Sequence, residues 1–213
     1  VNILITIAIA VFSFCIWALL NQPEQEPAWP DRIQGFSFSP MRQGQSPLDN
    51  ALPTVQEIDA DLALLAHKTN AIRTYSVDSV LAEVPALALK HDINVSLGAW
   101  IDADLERNEK EIATLIRVAR TNYRNVVRVI VGNEVILRGE LTVEQLSGYL
   151  DRVRAALDVP VSTAEPWHVW YKHQDLAAHV DFIGTHMLPY WEGVHLDRAV
   201  EYVIDHVNLL KTV

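Results

Sequence analysis

The chain has 213 residues, of which 50% are hydrophobic and 21% are charged, and it carries a formal net charge of -10. These fractions are those of an ordinary globular domain and exclude a disordered or low-complexity chain. The negative charge argues against nucleic acid as a partner, because binding to a phosphate backbone needs a surface rich in Lys and Arg, and a single cysteine, Cys15, excludes an intramolecular disulfide.

The N-terminal segment, residues 1–20, is apolar and carries no charged side chain. About twenty such residues in a helix span the hydrocarbon core of a bilayer, so the segment predicts a transmembrane helix or a signal sequence. An uncleaved anchor is favoured over a signal peptide, because the apolar run is long and no clear small-x-small cleavage site follows it. Residues 21–31 contain three prolines and predict a stiff linker. The soluble domain is expected at residues 32–213.

From Arg32 onward, strand-like runs alternate with stretches of helical spacing. Short runs rich in apolar or β-branched residues predict six strands, at residues 34–38, 71–75, 94–98, 126–131, 159–163 and 181–185. Apolar stripes predict helices around residues 58–66, 80–88, 112–119, 146–157 and 200–207, with a short one at 175–179. Thr142 and Gln145 have the spacing of a capping box at the start of the fourth helix.

Repeated strand-helix units imply parallel strands and an α/β fold. An open doubly wound sheet and a closed barrel are the two candidates. The open nucleotide-binding version normally has a glycine-rich phosphate loop after its first strand, and here the eight glycines never occur as G-x-G and no G-K-[S/T] is present. The residues at the strand ends favour a TIM (β/α)8-type barrel, of which about six β/α units are present.

Polar and aromatic residues follow the predicted strands, at the end of the barrel where active sites of this fold lie. The residues singled out as substrate-binding candidates are Arg73, Tyr75, Trp100, Asn133, Glu165, Trp167, His186, Tyr190 and Trp191. Aromatic rings pack against the C–H faces of sugars while carboxylates and amides bind the hydroxyls, so this set predicts a carbohydrate ligand. The alternative is that the aromatic rings only cap the barrel core.

The most specific element is Val131-Gly-Asn-Glu134 at the end of the fourth strand. A glutamate there is costly to desolvate unless it has a chemical task or a partner. The preceding Asn133 is suited to hold a sugar hydroxyl beside the reacting carbon. None of the eight histidines has the spacing of a metal-dependent barrel hydrolase, so no metal or other cofactor is expected.

In combination, residues 73–75, 130–134, 161–163 and 182–191 resemble the family 17 glycoside hydrolases, the β-1,3-glucanases. The similarity is greatest to their bacterial, membrane-anchored branch, which includes glucan transglycosylases. The resemblance implies a (β/α)8 barrel and a retaining mechanism on β-1,3-glucan, with Glu134 as acid/base and Asn133 as its hydroxyl-binding partner. It further implies a single-pass protein of the bacterial inner membrane with a periplasmic catalytic domain, and a fused or associated glycosyltransferase as a possible partner.

One departure from that family concerns the nucleophile. The family places its nucleophilic glutamate after the seventh strand, in a G-E-x-G-W-P-S-like segment, and this sequence contains none. A complete barrel typically needs about 250 residues, so the sequence predicts a domain truncated at its C-terminal side, without the nucleophile. Glu165 and Glu192 are the alternatives for the second carboxylate, and Glu165 is preferred as a substrate-binding or supporting residue. The competing functional interpretation is a non-catalytic glucan-binding or inactive barrel fragment.

Overall fold

The computed structural model describes residues 2–22, 28, 30–49 and 51–213. The chain divides into two compact units, Val1–Asp31 and Arg32–Val213. In the first unit, helix α1 spans Asn2–Leu20 and has no buried residue. Its length and composition are those of a membrane span or of a signal sequence, as expected from the apolar segment. The predicted linker falls largely on residues 23–27 and 29, which lie outside the described residues.

The second unit is built on one sheet of six parallel strands in the order in which they occur along the chain. The strands are β1 (Phe36–Ser37), β2 (Ala71–Arg73), β3 (Asn94–Ala99), β4 (Val126–Asn133), β5 (Val161–Pro166) and β6 (Gly184–His186). Val129, Ile130 and Val131 are buried at consecutive positions, so β4 is covered on both faces. The predicted α/β barrel-type architecture with six strands is therefore confirmed.

The described residues of the second unit form six α-helices. They are α2 (Val55–Leu65), α3 (Val84–Lys90), α4 (Leu105–Thr121), α5 (Val143–Ala156), α6 (Trp167–Lys172) and α7 (Leu196–Leu210). The capping box predicted at Thr142 and Gln145 is present, and Thr54 and Glu57 form a second one at the start of α2. Each box satisfies backbone N–H groups that a first helical turn leaves without acceptors.

Four elements differ from their predicted form. The stripe at 80–88 is not one helix, because Ser79–Glu83 forms a 3₁₀ helix before α3 begins. Pro85 sits in the first turn of α3, where its missing N–H is tolerated, and this fixes where the helix begins. Strands β5 and β6 end later than predicted, at Pro166 and His186. The short helix α6 was not predicted, since its aromatic sequence lacks a clear helical period.

The core lies between the sheet and the helices that cover it. Trp170 of α6 is completely buried, and its indole N–H donates to the carbonyl of Gly184 over 3.0 Å. A Cβ on Gly184 would lie 2.4 Å from the carbonyl oxygen of Thr163, so only glycine permits this close approach of β6 to β5. This packing fixes the position of the β6 end, which carries His186.

Candidate active site

The chain reverses sharply where β4 ends, and this reversal presents Glu134. Gly132 and Glu134 both have a positive φ, of 85° and 56°. The Glu134 amide donates to the carbonyl of Ala164 over 2.7 Å, and the Glu134 carbonyl accepts from the Arg138 amide over 2.8 Å. A non-glycine residue in the left-handed region costs about 1–3 kcal/mol and persists only where its surroundings determine it. The backbone of Glu134 is therefore held from both sides.

Four of the predicted residues form one chain of hydrogen bonds across three strands. Glu134 Oε1 lies 2.7 Å from His186 Nδ1, and His186 Nε2 lies 3.3 Å from Arg73 Nη1. Arg73 Nη2 donates to Asn133 Oδ1 over 2.7 Å. The guanidinium of Arg73 also lies 4.5 Å from the ring centre of Tyr75. The structure thus brings together five residues that the sequence placed at separate strand ends.

The donors in this chain assign a tautomer to the imidazole. A guanidinium has only N–H donors, so His186 Nε2 accepts from Arg73. The ring hydrogen is then on Nδ1, where it donates to the Glu134 carboxylate. His186 binds one oxygen of the Glu134 carboxyl group, and the second oxygen has no hydrogen-bond partner among the described residues.

The side chain of Glu134 is more accessible to solvent than its position directly after a buried strand suggests. Its side chain is 27% exposed, and that of His186 is 20% exposed. Arg73 is half-buried: burial lowers the pKa of its guanidinium, while Tyr75 and Glu134 act in the opposite direction. Within the described residues, Arg73 Nε is buried without a hydrogen-bond partner. The carboxyl group of Glu134 is therefore reachable from solvent, while the Nε atom of Arg73 is buried.

Glu165 lies behind Glu134 and is completely buried. Its Oε1 accepts from the Ile136 amide over 2.9 Å, and its Oε2 accepts from the Leu137 amide over 3.3 Å. Burial raises the pKa of Glu165, and these two hydrogen bonds lower it in part. Glu165 had been predicted as a substrate-binding or supporting residue. In this structure its oxygens face the backbone rather than the cleft, which is the arrangement of a supporting residue.

Arg138 and Glu111 complete the surroundings of the site, and neither was predicted from the sequence to have a role in it. Arg138 donates to the carbonyls of Asn133 and Ile101, the latter over 2.7 Å, and stacks 4.5 Å from the Trp100 ring centre. The buried Oε1 of Glu111 accepts from the Trp100 amide over 3.0 Å. A signal existed for Glu111, because it directly precedes the predicted helical stripe at 112–119 and shares the buried face of α4 with Leu115 and Val118.

The remaining predicted aromatic residues lie on the segments after β5 and β6. Trp167 Nε1 donates to Glu192 over 3.0 Å, and the same carboxylate accepts from the Tyr202 hydroxyl. Tyr190 and Trp191 are 83% and 76% exposed and form an edge-to-face pair with ring centres 5.5 Å apart. In the described interactions none of these rings contacts the Glu134 network. Nor do the described residues contain three His, Cys, Asp or Glu side chains placed to hold a metal ion.

Comparison with known proteins gives consistent similarities. The sequence pattern of the BtgE/BtgC glycoside hydrolase domain matches residues 35–213. The chain is 30% identical to the probable glucan endo-1,3-beta-glucosidase btgC of Aspergillus flavus, over 89% of this chain and 29% of that protein. It is also 30% identical to the glucan 1,3-beta-glucosidase of Schizosaccharomyces pombe, over 72% of this chain and 52% of that protein.

Solved structures show the same similarity. An active-site mutant of Rhizomucor miehei beta-1,3-glucanosyltransferase in complex with laminaritriose superposes with a TM-score of 0.72 at 27% identity. The match covers 84% of this chain and 66% of that chain. The chain thus spans less than a third of the length of the Aspergillus relative and about two thirds of that solved structure.

Proposed function

The chain belongs to the family of BtgE/BtgC glycoside hydrolase domains, and we propose that the whole protein is a retaining glycoside hydrolase or transglycosylase acting on β-1,3-glucan. Family membership confirms the predicted resemblance to the family 17 glycoside hydrolases. The names of the relatives, which refer to β-1,3-glucan, support the substrate class. The observation that carries the proposal is the accessible carboxyl group of Glu134, oriented by His186 at the carboxyl end of the sheet.

We assign Glu134 the role of acid/base. The His186 N–H holds Oε1, so the second oxygen is the one that carries the proton to the glycosidic oxygen as the C–O bond breaks. A retaining mechanism then forms a covalent glycosyl-enzyme bond to a second carboxylate. Glu134, now ionised, removes a proton from the incoming water or sugar hydroxyl that cleaves this bond.

We assign the second carboxylate to no residue of this sequence. Retaining enzymes place their two carboxyl groups about 5–5.5 Å apart across the bond that is cleaved, with both facing the sugar. Glu165 is completely buried and binds two backbone amides. Glu192 is bound by Trp167 and Tyr202 instead. Neither arrangement is that of a nucleophile, which supports the prediction that the nucleophile lies elsewhere in the whole protein.

Sugar binding is assigned to the groups around this carboxyl. Asn133 Oδ1 accepts from Arg73, so its amide N–H groups remain to donate to a sugar hydroxyl. The Tyr75 ring lies against the guanidinium of Arg73, which belongs to the site. The Trp100 ring lies against the guanidinium of Arg138, which supports the site. The exposed pair Tyr190 and Trp191 offers ring faces for sugar units farther along the chain.

Glu134→Gln in the whole protein tests the assignment. We expect kcat/KM on unactivated laminarin to fall by about 10²–10⁴-fold, since the amide cannot donate a proton to the leaving oxygen. Hydrolysis of a dinitrophenyl glycoside, whose leaving group needs no protonation, should retain its kcat/KM. Glu144→Gln, an exposed position on α5, is the matched control and should change neither. Full activity of the Glu134 variant on laminarin would refute the role. A wild type that cleaves neither substrate would favour a non-catalytic glucan-binding protein.

Hydrolysis and transfer differ in whether water or a sugar hydroxyl attacks the covalent intermediate. The exposed aromatic pair at Tyr190 and Trp191 favours transfer, because it could hold an acceptor sugar in place of water. Incubation of the whole protein with laminari-oligosaccharides distinguishes the two. Products longer than the substrate establish transfer, and exclusively shorter products establish hydrolysis.

We also propose that α1 attaches the protein to a membrane, which its length and apolar composition support. The finer predictions, a bacterial inner membrane, a periplasmic domain and a glycosyltransferase partner, stay predictions; the relatives named above are fungal. Fractionation of cells that express the whole protein, before and after carbonate washing, tests the attachment. Release of the protein into the wash would contradict it.

A further inference from the structure

The buried carboxyl group of Glu165 is the group next to the site that the proposed mechanism does not use. It stands at the end of β5, with 0% of its surface exposed. Burying a carboxylate without partners costs several kcal/mol, so such groups are found paired or hydrogen-bonded. Glu165 has two partners, and both are backbone amides of the turn that begins at Glu134.

That turn depends on β5 at both of its ends. The Glu134 amide donates to the Ala164 carbonyl, one residue before Glu165. The Ile136 and Leu137 amides then donate to the two oxygens of Glu165. The hydrogen bond from the Arg138 amide to the Glu134 carbonyl forms a helical turn. The Ile136 and Leu137 amides lie at the start of this turn, so they have no acceptor inside it. Two consecutive residues of β5 therefore hold the turn that carries Glu134.

We propose that Glu165 is a positioning residue for Glu134: its carboxylate fixes the turn after β4 so that the Glu134 carboxyl meets His186 and the glycosidic oxygen. This inference rests on the proposed acid/base role of Glu134. The left-handed backbone of Glu134 is unfavourable by itself and needs an external restraint. The Glu165 carboxylate supplies that restraint from a neighbouring strand.

A carboxylate is suited to this role and its amide is not. Both oxygens of an ionised glutamate accept hydrogen bonds, which matches the two N–H donors of Ile136 and Leu137. A glutamine has one accepting oxygen, and its NH2 group would face the second N–H. The Glu165→Gln substitution therefore keeps the volume of the side chain but breaks one of the two restraints on the turn.

The test compares two substrates in the whole protein. For Glu165→Gln we expect kcat/KM on laminarin to fall by about 10- to 100-fold, because a misplaced acid loses proton-transfer efficiency. The kcat/KM on a dinitrophenyl glycoside should stay within about threefold of the wild type, because its leaving group departs without protonation. The Ile136 and Leu137 amides should exchange hydrogen faster in the variant.

A control separates positioning from general destabilisation. Asn125 is a buried residue directly before β4, at the opposite end of the strand from Glu134. Its side-chain amide donates to the Pro85 and Ile93 carbonyls. Asn125→Ala should lower stability without changing the ratio of the two kcat/KM values. If Glu165→Gln yields no folded protein, Glu165→Asp keeps the charge but cannot span both amides, and it should show the same selective loss.

Two results would overturn the inference. Equal losses on both substrates for the Glu165 variants would show a purely structural role, and unchanged laminarin activity would show no role. If the wild type cleaves laminarin and Glu134→Gln is selectively impaired, either result refutes only the positioning role. If the wild type cleaves neither substrate, or Glu134→Gln keeps full activity on laminarin, the proposed function and this inference fail together.

Discussion

Replacing Gly132 by alanine tests whether the chain reversal after β4 requires a glycine packed against Val135. Gly132 has a φ of 85°, and a Cβ built on it would lie 2.4 Å from Cγ2 of Val135. The next nearest atoms, on Ile101 and Thr163, would lie 3.6 Å away, at ordinary van der Waals distance. The substitution therefore introduces two separable costs, a left-handed backbone for a residue with a Cβ and one specific steric contact.

The magnitude follows from these two costs. A left-handed conformation costs an L-residue about 1–2 kcal/mol, and overpacking a filled core costs about 1–3 kcal/mol. Gly132→Ala should thus lower the free energy of unfolding by about 2–5 kcal/mol. Val135 is completely buried, and Val135→Ala removes the two methyl groups, one of which makes the contact, at a cost of about 2 kcal/mol.

The double variant separates the two contributions. With Val135→Ala the steric contact is gone and only the backbone cost of alanine at 132 remains. The double variant should therefore be destabilised by about 1–3 kcal/mol less than the sum of the two single variants. Urea unfolding of the whole protein, followed by tryptophan fluorescence, measures all four free energies. Strict additivity would refute the reasoning, because it would mean that the two side chains do not meet at this reversal.

Two further predictions address the network and its surroundings. Arg73→Lys keeps the positive charge but loses the two separate donors that reach Asn133 and His186. The kcat/KM on laminarin, measured by steady-state kinetics, should therefore fall by about tenfold or more. An unchanged kcat/KM would contradict this prediction. Burial and the hydrogen bond to Glu192 raise the pKa of Tyr202 to about 12. Because the folded state favours the neutral phenol, this stabilisation is complete below about pH 10 and is lost between about pH 10 and 12. The urea midpoint should therefore decrease less between pH 8 and pH 11 for Tyr202→Phe than for the wild type. An equal decrease in the two proteins would contradict the assignment.

The sheet was predictable because its signals are local. Short apolar runs set β2, β3 and β4 within a few residues, and the capping box at Thr142 and Gln145 set the start of α5. The predicted boundaries of an element were wrong where packing against other elements determines them. Strand β6 begins only at Gly184, where the close approach to Thr163 and the buried indole of Trp170 fix the chain. Neither contact leaves a periodic trace in the sequence.

The site was predictable residue by residue but not as a set of contacts. Glu134, Arg73 and His186 were singled out because each follows a strand, and strand ends converge in this fold. Which of them touch was not predictable, since 52 residues separate Glu134 from His186 and 60 separate Arg73 from Asn133. The direction of the Glu134 side chain was still harder to predict. Its positive φ means that it does not follow the alternating side-chain directions of β4.

The direction of the hydrogen-bond chain follows from Arg73. Its guanidinium can only donate, and its Nε atom is buried. It therefore requires His186 to accept through Nε2 and to donate through Nδ1 toward Glu134. One cation on β2 thus orients a ring on β6 so that it donates to one oxygen of the carboxyl group just after β4. An acid/base with one fixed oxygen and one free oxygen is a consequence of how three strands meet, and no single motif of the sequence contains it.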